Sequence, residues 1–136
     1  MNQTVQKYRA RSALAFFVAS LAAPSFAETQ CKFTVECFEN EPCQETSFEF
    51  DYVVTSCPRA PGLRDIVVQT EFGELYGQES ANTSQCSGAQ TNMESFHLSD
   101  ETTAYLLTVS SEGARFTAHM DGPISINYLG HCEETE

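Results

Sequence analysis

The chain has 136 residues, with 19 aspartates and glutamates against seven lysines and arginines, a formal charge of −12. Such a surplus repels phosphate backbones and anionic lipid headgroups. It argues against nucleic-acid and membrane-surface binding and leaves cationic partners and bound cations open.

The first 27 residues read as an export signal that is cleaved. Lys7, Arg9 and Arg11 precede an apolar stretch at residues 13–23 that is too short to span a bilayer. Ser25 and Ala27 supply small residues at the −3 and −1 positions, so cleavage is expected after Ala27. Arg9 and Arg11 are not adjacent, which argues against a twin-arginine signal. The remaining residues, 28–136, form one disulfide-stabilised domain of 109 residues. Lys32, Arg59, Arg64 and Arg115 are its only lysines and arginines, and with all 19 carboxylates they leave it a formal charge of −15. The expected location is periplasmic or extracellular, with no membrane contact after cleavage.

The domain reads as strands separated by turns, with no convincing helix. Residues 31–37 alternate with a period of two, placing Cys31, Phe33, Val35 and Cys37 on one face. Between Glu45 and Val54, Phe48, Phe50, Tyr52 and Val54 alternate with Glu49, Asp51 and Val53 in the same way. Residues 65–72 are rich in β-formers. Gly73 breaks that run, and a shorter segment follows to Glu79. Residues 80–92 are small and polar with nothing to bury, and read as a long loop pinned by Cys86. Asn82-Thr83-Ser84 within it is a glycosylation sequon, relevant only in a eukaryotic secretory pathway.

Four strands are expected in the last third, at residues 93–98, 103–109, 114–120 and 124–130. The face test fixes their register. Turning at residues 110–113 pairs Val109 with Ala114, Leu107 with Phe116 and Tyr105 with Ala118. A two-residue Asp121-Gly122 turn would set Ala118 opposite Ser125. A three-residue Asp121-Gly122-Pro123 loop instead pairs Met120 with Ile124, Ala118 with Ile126 and Phe116 with Tyr128, keeping one apolar face. The fold expected is all-β: a small antiparallel up-and-down β-barrel or barrel-like meander of seven or eight strands. A Greek-key β-sandwich is the alternative.

Six cysteines, Cys31, Cys37, Cys43, Cys57, Cys86 and Cys132, in a short exported chain read as a disulfide framework. No C-x2-C pair with zinc-site spacing is present. Cys57 with Cys86 would staple the long loop, Cys31 with Cys132 would tie the ends, and Cys37 with Cys43 would close a small loop. Cys31, Cys37, Cys43 and Cys132 can also be re-sorted among themselves.

The other chemistry is sparse. His97 and His119 fall on outward positions, and His131 is expected at the end of the last strand. No metal site or cofactor is expected. Carboxylates crowd the first connection (Glu36, Glu39, Glu41, Glu45), flank Gly73 (Glu71, Glu74) and form a turn (Asp100, Glu101), but none is marked as a general acid or base. Motifs for activated serine nucleophiles, zinc proteases and phosphate loops are missing. The aromatics, including Phe33, Phe48, Phe50, Phe72, Phe96, Tyr105, Phe116 and Tyr128, sit at strand spacing and read as core.

One segment, Ser110-Ser111-Glu112-Gly113-Ala114-Arg115-Phe116, resembles the Ser-Gly-Ser-Gly-Ala-(Arg/Lys)-Tyr turn of periplasmic C-type lysozyme inhibitors. That resemblance implies a small exported barrel whose turn enters a lysozyme cleft, with Ser110, Ser111, Glu112 and Arg115 as partner contacts. It spans seven of 136 residues. Glu112 stands where that family has a serine, and the chain is not assigned to the family on this likeness. The leading expectation is a non-enzymatic binding or envelope protein whose partner the sequence does not name, a cationic protein being the one its charge favours. The alternatives are an inhibitor of a cationic enzyme such as lysozyme, and a small hydrolase using cleft carboxylates.

Overall fold

The computed structural model describes residues 27–59, 61–88 and 91–135. The export signal read over residues 1–27 lies, but for Ala27, outside them. Eight strands follow one another in chain order: β1 (Glu28–Phe38), β2 (Gln44–Val54), β3 (Asp65–Thr70), β4 (Gly73–Glu79), β5 (Met93–Ser99), β6 (Ala104–Ser110), β7 (Gly113–His119) and β8 (Ser125–Thr135). Each pairs antiparallel with the next, and β8 returns to pair with β1. The result is a closed up-and-down barrel, which removes the exposed sheet edges that a sandwich would retain.

Alternation decides which way each side chain points. Cys31, Phe33, Phe50, Tyr52, Ile66, Val68, Phe96, Leu98, Leu107 and Phe116 fill the interior. Phe33, Phe48, Phe50, Phe116 and Tyr128 form a continuous aromatic cluster, with ring centroids 5.2 Å apart for Phe33 and Phe50 and 4.8 Å for Phe48 and Tyr128. Outward positions carry Lys32, Glu49, Gln69, Gln78 and His97. This polar exterior is the reverse of a lipid-facing barrel wall, which must be apolar. Among the described residues, no helix is long and apolar enough to cross a membrane.

Strands β6 to β8 adopt the register that keeps one face apolar. Val109 pairs with Ala114, Leu107 with Phe116 and Tyr105 with Ala118. Phe116 then pairs with Tyr128 and Ala118 with Ile126, and Met120 N donates to Ile124 O across the Asp121-Gly122-Pro123 loop. Ser125 lies opposite His119 on the outer side.

Three features depart from the pattern. A bulge between Phe33 and Val35 shifts the register of β1 against both neighbours. Glu36, rather than Val35, therefore lies level with inward-facing Tyr128. Cys37 turns to the outer face, opposite Asn127. A simple alternation cannot anticipate this, because a bulge adds one residue to one strand only. Phe72 is not core: it sits in the two-residue turn between β3 and β4 and is 87% exposed. Strand β8 continues to Thr135, so His131 lies within it, paired with Lys32, and not at its end.

The structure forms three disulfides, Cys31–Cys132, Cys37–Cys43 and Cys57–Cys86, and among the described residues no cysteine is free. Cys31 and Cys132 face each other across the β1–β8 seam. Disulfides at this density belong to an oxidising compartment.

Candidate functional site

The barrel has two unlike ends. The described parts of the β2–β3 and β4–β5 connections (55–59, 61–64, 80–88 and 91–92), the β6–β7 turn and the two ends of the described chain gather at one, which we call the capped end. The turns at residues 39–43, 71–72, 100–103 and 120–124 ring the other, the open end.

At the capped end an ion network is built by register. The Glu71-Phe72 turn pairs Thr70 with Gly73, and the ladder runs back until Asp65 lies opposite Gln78. Arg64 is therefore level with Glu79, whose N–H donates to the Arg64 carbonyl at 2.9 Å. Alternation from Leu75 through Gly77 puts the Glu79 side chain inside, where it has no exposure. Its carboxylate accepts from Arg64 Nη2 at 2.6 Å and Nε at 3.2 Å, from Ser84 Oγ at 2.9 Å and from the Gln85 amide at 3.1 Å. Arg64 Nη2 also donates to Glu94 at 2.7 Å. Burial pushes the Glu79 carboxyl up, but the bonds from Arg64, Ser84 and Gln85 together outweigh it and hold it below the usual carboxylate range. The Arg64 guanidinium, bonded to Glu79, is raised and stays charged.

The polar loop at 80–92 thus does bury something. Thr83 and Ser84 are inside, and Thr83 Oγ1 accepts from the Ser95 amide at 3.0 Å. Short 3₁₀ turns at Ala81–Thr83 and Gln85–Ser87 fold the loop over the barrel, and Cys57–Cys86 fixes it there. Every buried side-chain nitrogen and oxygen among the described residues is satisfied.

The open end is a cavity of about 460 Å³ among Glu36, Phe48, Phe72, Asp100, Tyr105 and Tyr128. Asp100 Oδ1 accepts from the Thr102 amide at 2.9 Å and the Thr103 amide at 2.8 Å, and Oδ2 accepts from the Tyr105 hydroxyl at 2.8 Å. The Thr102 amide, followed by Tyr105 and Thr103, holds this carboxyl below its ordinary range. The Tyr128 hydroxyl is raised, first by burial and then by the charge of Glu36. Glu36 accepts one long hydrogen bond, from Gln44 Nε2 at 3.4 Å.

Positive charge is segregated between the ends, while carboxylates lie at both, with Glu28, Asp65, Glu94, Glu112, Glu133 and Glu134 at or near the capped end. Each open-end turn carries a carboxylate: Glu39 and Glu41, Glu71, Asp100 and Glu101, and Asp121. None carries a lysine or arginine. Arg59 and Arg64 lie in the capped-end connection, Arg115 lies two positions into β7 beyond the capped-end turn, and Lys32 lies on the wall opposite Glu49. Phe72, Met120 and Ile124 are exposed beside the acidic turns.

The remaining sequence candidates are scattered. His97 and His119 are exposed on β5 and β7, separated by β6. His131 Nε2 lies 3.8 Å from exposed Glu133. The Ser110–Gly113 turn projects from the capped end, with Ser111 and Glu112 exposed at its tip and Arg115 exposed on β7. The Ser110 hydroxyl is used within the turn, donating to Gly113 O at 3.1 Å and accepting from the Glu112 amide at 3.3 Å.

Sequence reasoning missed the Arg64–Glu79–Glu94 network and the inward Glu36. The first had a signal: inward alternation at Leu75 and Gly77 predicts an inward Glu79. Comparison of the chain with protein-family models, curated proteins and solved structures finds no match.

Proposed function

We propose that this is a non-enzymatic, exported binding protein that receives a cationic protein against the open end of its barrel. The segregation of positive charge carries the reading: four of four turns at that end bear carboxylates and none bears a cation, whereas the capped end mixes both signs. Complementary fields of this kind accelerate encounter and set orientation. Exposed Phe72, Met120 and Ile124 supply apolar contact among the charges. Asp100, whose pKa its own turn lowers and whose Oδ2 accepts only from Tyr105, can still accept a cation and is poorly suited to donate a proton, which supports the non-catalytic half of the reading.

The test is capture from envelope or culture extract with two baits, the oxidised wild-type domain and a Glu41→Lys/Glu101→Lys/Asp121→Lys variant. The expected result is a basic protein held by the first bait, released by salt and missing from the second. Identical capture by both baits would overturn the reading.

A second reading is favoured by the exposed tip of the β6–β7 turn, Ser111 and Glu112. Here the turn enters the cleft of a basic enzyme such as lysozyme. Undiminished lysozyme activity in an equimolar mixture would end it.

A further inference from the structure

We infer that the open-end cavity is a socket for a single lysine or arginine side chain of the basic partner. The inference rests on the open-end reading above and names the group recognised there. The first observation is the placement of Glu36. The bulge in β1 brings a charged side chain level with Tyr128 at the mouth of an aromatic interior, where uninterrupted alternation would have put Val35. Its one intramolecular bond is long, 3.4 Å to Gln44, and leaves Oε2 open.

The second observation is the contrast between the ends. At the capped end the chain supplies its own countercharge: Glu79 and Glu94 both meet Arg64 at under 3 Å. At the open end Glu36 and Asp100 line a cavity to which no lysine or arginine among the described residues contributes. The walls between them suit the rest of such a side chain. Phe48, Tyr105 and Tyr128 line the cavity and offer aromatic surface to its aliphatic stem. About 460 Å³ is ample for one such side chain. Phe72, on the lip of the same cavity and nearly fully exposed, extends the contact onto the partner's surface. A free amine would leave that ring in water, so the occupant is taken to be part of a protein.

Three probes separate the socket from general acidity: n-butylguanidinium, its neutral analogue n-butylurea, and a deca-arginine peptide. Binding is followed by NMR shift mapping on the oxidised domain, which needs no variant. The guanidinium is expected to move resonances of Glu36, Tyr105 and Tyr128, and the urea is not. Deca-arginine should displace it. Glu36→Gln, nearly isosteric and checked by near-UV circular dichroism, should weaken the guanidinium by about tenfold through loss of one charged hydrogen bond. The Glu41→Lys/Glu101→Lys/Asp121→Lys variant, whose three positions lie outside the cavity lining, should weaken deca-arginine more than it weakens the small cation.

The socket is overturned if n-butylurea binds as well as the cation, if the shifts lie elsewhere, or if Glu36→Gln binds equally well. It is also overturned if deca-arginine binds without displacing the small cation. If the basic partner is retained by Glu36→Gln but lost by the triple variant, the socket fails while the acidic-face reading stands.

Discussion

Replacing Glu79 by glutamine should be among the most damaging single substitutions in the barrel, although it removes only a charge. The Glu79 side chain has no exposure, and both oxygens accept hydrogen bonds. An amide in its place keeps one acceptor oxygen, turns an NH2 toward the donors of the other, and leaves Arg64 with Glu94, which is about one-third exposed, as its one countercharge. Breaking a buried pair by removing one partner costs roughly 3–5 kcal/mol, chiefly because the other charge stays buried and uncompensated. Replacing both partners with apolar residues of similar size is often close to neutral. Urea unfolding with the disulfides intact should therefore show Glu79→Gln losing about 3–5 kcal/mol at unchanged m-value. The Arg64→Met/Glu79→Leu double variant should recover most of that loss. A Glu79→Gln loss within about 1 kcal/mol of wild type, or a double variant that costs as much as the two single changes summed, would refute this role for the pair.

Because the Glu79 carboxyl is held below its ordinary value in the folded state, its contribution is present above the unfolded pKa of about 4.3 and is lost as pH falls through the lower folded value. Urea midpoints between pH 6 and pH 2 should fall more steeply for wild type than for Glu79→Gln. Gly130→Ala should destabilise by about 1–3 kcal/mol, since a Cβ there would stand 1.9 Å from the Lys32 carbonyl, and the same urea titration reads it. Removing Cys31–Cys132 by paired alanines, which opens a separation of 101 residues, should cost about 4–5 kcal/mol on the loop-entropy account. Removing Cys37–Cys43, with a separation of six, should cost about 2 kcal/mol. Equal losses in the two unfolding curves would contradict that ordering.

The barrel was legible in the sequence because one inner face demands a period of two, and because turn lengths either preserve that face or break it. Asp121-Gly122-Pro123 shows this: only the three-residue reading keeps Ala118 opposite Ile126. The same logic failed at Phe33–Val35, where a bulge inserts a residue with no compositional mark. Phe72 was misread because an aromatic in a tight turn looks like the end of the strand before it. The long loop looked inert because its burial is polar: Thr83 and Ser84 are inside to satisfy backbone and carboxylate groups. The acidic open end could not be assembled from the sequence, since its carboxylates come from four turns that only barrel closure brings together.

The bond between Cys31 and Cys132 also decides how the barrel carries force. It joins the first strand to the last across the one seam that sequence neighbours do not make. A pull applied between the two ends of the domain would load residues 28–31 and 132–135 and then a covalent bond. The remaining ladder, and the seven other strand pairings, would stay slack. With the bond reduced, the same pull would peel β1 from β8 one hydrogen-bonded pair at a time. Tethered from both ends, the oxidised protein is a rigid bead, and reduction turns it into a zipper.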